Sequence, residues 1–92
     1  MLNNIKNNFI DTKYSIQGEN EFYTLERTKN NVNGNPLYRL HLEAGTRFEH
    51  SERAYRNYES KGYYLLQSYD IRDSLERLFD DLDITIIHVQ SL

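Results

Sequence analysis

Apolar and polar residues alternate most cleanly in two runs on either side of an Asn/Gly-rich stretch. In the first run, Tyr23 and Leu25 share one face, while Phe22, Thr24, Glu26 and Thr28 share the other. In the second, Tyr38, Leu40 and Leu42 share one face, while Leu37, Arg39, His41 and Glu43 share the other. Successive side chains on a strand point to opposite sides of a sheet, so each run predicts a strand with one face toward a core. The intervening Asn30-Asn31-Val32-Asn33-Gly34-Asn35-Pro36 reads as a hairpin loop. Gly34 and its Asn neighbours tolerate positive φ. Pro36 has no amide donor and belongs at the strand entrance, outside the ladder.

The period changes in the C-terminal half. Ile71, Leu75, Leu78, Phe79 and Leu82 fall at i, i+4, i+7, i+8 and i+11, which predicts an amphipathic helix over 71–82. Asp70 stands where an N-cap is needed. Before it, the aromatic run Tyr63–Tyr69 favours a strand; after it, the β-branched run Ile84–Val89 favours another. Tyr14–Gln17 reads as a short strand ended by Gly18. Leu2, Ile5 and Phe9 have helical spacing, but the surrounding Asn residues oppose a stable helix, so 1–12 reads as a short helix or a loosely ordered arm. Over 44–62, Ser51 can cap a short helix through Tyr58, with Glu52 and Arg56 as an i,i+4 pair and Gly62 as its stop. The alternative there is a long loop.

These elements describe one α+β domain over residues 1–92: an antiparallel sheet of about four strands with one main helix packed on a face. The unit from 63 to 89 leaves a second arrangement open, two parallel strands joined by a right-handed crossover.

Composition narrows the functions. The chain has no cysteine, so neither a disulfide nor a thiolate metal site stabilises it. A formal charge of −3 opposes general phosphate binding, which needs a clustered basic surface. No run approaches a membrane span and Met1–Lys6 does not open a signal peptide, so a cytoplasmic location is expected. His41, His50 and His88 lack metal-ligand spacing, and no nucleophile signature or phosphate-cradling glycine loop is present. The expectation is a protein that is not an enzyme and uses no cofactor or metal. A small enzyme built on a carboxylate pair stays open, because sequence spacing says little about such pairs.

Two charged groups are candidate binding sites. Glu76, Asp80, Asp81 and Asp83 gather at the end of the predicted helix, where like charges at i,i+4 and the helix dipole both disfavour them. Such an acidic surface suits docking on a basic protein. The competing reading is an ordinary solvated helix end. The second group, Arg47, Phe48, Arg53, Tyr55, Arg56 and Tyr58, combines guanidinium groups with rings and suits single-stranded nucleic acid or a protein contact. Glu49, Glu52 and Glu59 interrupt its basic character. Eight Tyr residues suggest a Tyr-rich binding surface.

The segment Glu26-Arg27-Thr28-Lys29-Asn30-Asn31-Val32-Asn33-Gly34-Asn35-Pro36-Leu37-Tyr38-Arg39 resembles a hairpin of small accessory proteins from phages and mobile elements, a group that includes anti-CRISPR proteins. The resemblance covers about a sixth of the chain and carries over no functional residue. It implies a small protein that binds and inhibits a host protein in the host cytoplasm, with a defence nuclease as the leading target. The alternative is a nucleic-acid-binding accessory protein using the Arg/Tyr segment. Exposed strand edges also leave a homodimer open.

Overall fold

The structure, a computed structural model, describes residues 2–43 and 63–92. Five strands form one sheet: β1 (Lys13–Gly18), β2 (Phe22–Val32), β3 (Asn35–Leu42), β4 (Tyr63–Gln67) and β5 (Ile86–Ser91). Among the described residues one α-helix, α1 (Ile71–Asp81), packs on one face, and a 3₁₀ turn covers Leu2–Asn4. The order across the sheet is β4-β3-β2-β1-β5, and every neighbouring pair is antiparallel. The class is therefore α+β, with five strands where the sequence predicts about four. Successive antiparallel pairings leave β4 and β5 running in the same direction but at opposite edges. The helix carries the chain across the sheet between them, so β4 and β5 are parallel strands joined by a crossover, but they are not neighbours and every ladder is antiparallel.

The alternation seen in the sequence sets the core. Register places Tyr14 opposite Leu25, Leu25 opposite Leu40, and Leu40 opposite Tyr64, forming one inward row across four strands. Ile16, Tyr23, Tyr38 and Val89 extend that face and are buried. Leu42 is half-buried against its margin. On α1, Ile71, Leu75, Leu78 and Phe79 close over this surface, and the Phe79 ring lies 5.2 Å from that of Tyr23. Burial raises the Tyr23 phenol well above its ordinary pKa, and the charges of Tyr64 and Glu21 add to the effect.

The hairpin loop is shorter than the sequence predicts. Strands β2 and β3 extend to Val32 and Asn35, leaving a two-residue turn, Asn33-Gly34, with φ of 52° and 80°. Positive φ at both positions is the type I′ geometry that follows the natural strand twist. Pro36 therefore sits second in β3, opposite Asn31, and its carbonyl accepts from the Ser68 amide. It lies beyond a pairing irregularity between Arg27 and Asn31, where the Thr28 hydroxyl donates to the Leu37 carbonyl at 2.9 Å.

The Asn-rich N-terminal segment is tied to the core. Ile5 and Phe9 are buried, and the Phe9 ring meets Tyr14 edge-on at 4.9 Å and Tyr38 at 5.5 Å. The hydroxyls of those two tyrosines accept from the amides of Lys6 and Asn8. Asn7 Oδ1 accepts from the Ile71 amide at 3.1 Å, and Asp70 Oδ1 accepts from the Asp73 amide at 3.2 Å. The arm and the cap thus satisfy two of the otherwise unpaired N–H groups at the start of α1. The Asp73 amide is the leading reason that Asp70 keeps a depressed pKa.

Gly18 permits a close approach where β1 meets the connection from α1 to β5. A Cβ there would lie 2.9 Å from Ile84 Cγ2 and 2.5 Å from Glu21 Oε2. Both neighbours are buried. Gly18→Ala is expected to destabilise the fold by about 1–3 kcal/mol, read from urea unfolding, because a packed neighbour must move.

Candidate protein-binding surface

The helix ends in a way that determines where its acids stand. The Asp83 amide donates to the Asp80 carbonyl at 3.1 Å, and the Ile84 amide donates to the Phe79 carbonyl at 2.8 Å. These two bonds make a Schellman closure, which needs a left-handed residue just past the C-cap. Asp83 fills that position with φ 56°, where glycine is the usual occupant. The C-cap Leu82 and the next apolar residue, Ile84, are buried, which holds the turn against the core.

Glu76, Asp80, Asp81 and Asp83 are all exposed. The structure divides them. Glu76 and Asp80 line a groove of about 570 Å³ together with Leu2, Phe79, Ile84 and Ile86. Asp73 and Arg77 complete its rim and pair with each other at 3.1 Å. Asp81 and Asp83 do not line this groove. The last turn of α1 contains no basic residue. Asp80, Asp81 and Asp83 therefore stand at the negative end of the helix dipole, and Arg77, one turn earlier, is engaged by Asp73.

The second predicted group, Arg47, Arg53, Tyr55, Arg56 and Tyr58, lies outside the described residues, as do His50 and the proposed helix from Ser51. The expected Tyr-rich surface is corrected for much of the rest. Tyr14, Tyr23, Tyr38 and Tyr64 are buried in the core, Tyr63 is half-buried, and Tyr69 is exposed. Most described tyrosines serve packing, and the hydroxyls of Tyr14 and Tyr38 also hold the N-terminal arm.

A polar cluster on the face of the sheet away from α1 was not legible in the sequence. Glu26 Oε1 accepts from Arg39 Nη1 at 3.2 Å and from His41 Nε2 at 3.0 Å, and Lys13 Nζ lies 3.7 Å from Oε2. A carboxylate only accepts, so Nε2 of His41 carries the proton in this contact. The Arg39 guanidinium also lies 5.3 Å from the centre of the Tyr63 ring. Each residue is visible as an outward strand position, but only the register Lys13↔Glu26↔Arg39 brings them together. The His41 hydrogen bond, joined by the charges of His41, Lys13 and Arg39, outweighs partial burial and holds the Glu26 carboxyl below its ordinary value of 4.5.

A folded-state pKa below the unfolded value means that the charged form stabilises the fold. That contribution is fully present above about pH 4.5 and is lost as the pH falls through the lower folded value. Glu26→Gln is expected to cost about 1 kcal/mol at pH 7 and progressively less as the pH falls below 4.5, where wild type loses the same contribution. Urea unfolding across that pH range would reveal the convergence.

His88 Nε2 contacts Gln90 Oε1 at 3.0 Å on an exposed strand. Among the described residues, no group of three His, Cys, Asp or Glu side chains is placed to hold a metal ion. No helix among them is long and apolar enough to cross a membrane. No family model, no curated protein and no solved structure matches the chain.

Proposed function

We propose that this chain is a non-catalytic binding protein that docks on a basic partner protein through the acidic side of α1. One observation carries the reading. Asp80 and Asp83 stand at the helix end that disfavours anions, beside a last turn that contains no basic residue. Charges that oppose local stability fit a surface kept for an interaction. Glu76 and Asp80 also border apolar side chains, so a bound cation there would sit beside a surface that excludes water.

The hairpin resemblance gives this reading its biological form: a small phage or mobile-element protein that blocks a host defence nuclease by occupying its basic nucleic-acid surface. The natural test is capture from host lysate by wild type and by Glu76→Lys/Asp80→Lys. A basic nuclease retained by wild type, lost by the variant, and inhibited in a cleavage assay is the expected result. Equal capture by both proteins overturns the acidic surface, and capture of no protein overturns the reading itself.

A further inference from the structure

Among the described residues, the sheet ends in an uncovered edge beside the acidic groove. β5 lies last in the strand order, bonded only to β1 among the described strands. Ile87, His88, Gln90 and Ser91 are exposed. Proteins commonly blunt such an edge with Pro, Lys or a covering element. The sequence Ile86-Ile87-His88-Val89-Gln90-Ser91 contains neither residue.

Register shows which backbone groups face outward. The Leu92 amide donates to the Lys13 carbonyl, so Leu92 and, at alternate positions, Gln90 and His88 direct their backbone groups toward β1. Val89 and Ser91 then present their N–H and C=O to the open side. A strand laid along this edge would continue the antiparallel ladder there.

Charge selects the occupant. The groove bordered by Glu76 and Asp80 includes Ile86, the first residue of β5. Side chains on one face of an added strand would therefore reach the acids of α1. A second copy of this chain paired edge to edge would bring two acidic helices together on the same face, and the chain already carries −3. A basic segment meets no such repulsion. Lys or Arg stems can lie over Leu2, Ile84 and Ile86 while their heads reach Glu76 and Asp80.

We infer that β5 receives an extended segment of a partner protein by strand addition, with Lys or Arg at alternate positions facing α1. The inference rests on the docking reading, since it uses the same Glu76 and Asp80, and it adds a backbone component that docking alone does not require.

The probe is a blocked eight-residue peptide alternating Lys and Val, compared with its Glu/Val counterpart and with a Lys/Val peptide N-methylated along one edge. Binding is followed by NMR titration of the full chain and by amide hydrogen exchange. The Lys peptide is expected to bind about tenfold or more tightly than the Glu peptide at low salt, with the gap shrinking at 0.5 M salt. Protection should rise at the Val89 and Ser91 amides, and N-methylation should abolish it. Glu76→Gln/Asp80→Asn should weaken the Lys peptide about tenfold without removing residual edge protection.

Lys-peptide binding that leaves Val89 and Ser91 unprotected, or that survives N-methylation, overturns strand addition and leaves the docking reading standing. No binding at millimolar peptide overturns strand addition as well, whereas the docking reading is judged on the folded nuclease. Protection of the same amides in the free protein, with sedimentation as a dimer, assigns the edge to a second copy and overturns the inference.

Discussion

Phe9→Ala is expected to lower the stability of this protein by about 3–4 kcal/mol, a large share of what a domain of this size possesses. The ring is buried and rests on Tyr14 and Tyr38, so truncation leaves a cavity against two rigid aromatic rings. The loss also spreads through hydrogen bonds. Tyr14 and Tyr38 accept from the amides on either side of Asn7, and Asn7 accepts from the first amide of α1. Loosening this arm would leave that helix N–H without its partner. Urea unfolding would show a midpoint shift of that size, together with faster exchange of the Ile71 amide. A loss below about 1 kcal/mol would mean that the arm is not part of the core.

The second large effect has two opposite signs. Asp80→Asn/Asp83→Asn is expected to stabilise the fold by about 1–2 kcal/mol and to remove partner binding. Each substitution takes a negative charge from the unfavourable end of the helix dipole. Asn also suits the left-handed position at 83, so the Schellman turn is retained. For a domain of this length the gain is a rise in Tm of about 4–16 °C. A purely solvated helix end would show the thermal gain without any loss of binding. Lower stability in the double variant would refute the dipole argument.

These two cases separate what the sequence shows from what it hides. Alternation at Tyr23, Leu25, Tyr38 and Leu40 reveals the inward face because burial acts on each strand by itself. The i, i+4, i+7 spacing of Ile71, Leu75 and Leu78 reveals the helix for the same reason. The arm is concealed because its order comes from distant partners. Asn7 reads as a helix-opposing residue until the start of α1 is placed against it. Glu26 was equally silent, since its partners come from β1 and β3 and meet only through register. The acidic residues were named from local helix physics. That physics could not show that Glu76 and Asp80 border an apolar groove while Asp81 and Asp83 stand elsewhere, because the groove needs Leu2 and Ile86 from the two ends of the chain.

The strand order also has a kinetic meaning. The Asn33-Gly34 turn lets β2 and β3 pair locally, on the microsecond scale of hairpins. β1 and β5 join residues 13–18 to residues 86–91, and that closure has to wait for most of the chain to be ordered. Substitutions in the turn, such as Gly34→Ala, are expected to slow refolding, whereas Val89→Ala is expected mainly to accelerate unfolding. The last pairing made would then be the first released, so the edge proposed to receive a partner would also be the part of the sheet that opens most readily.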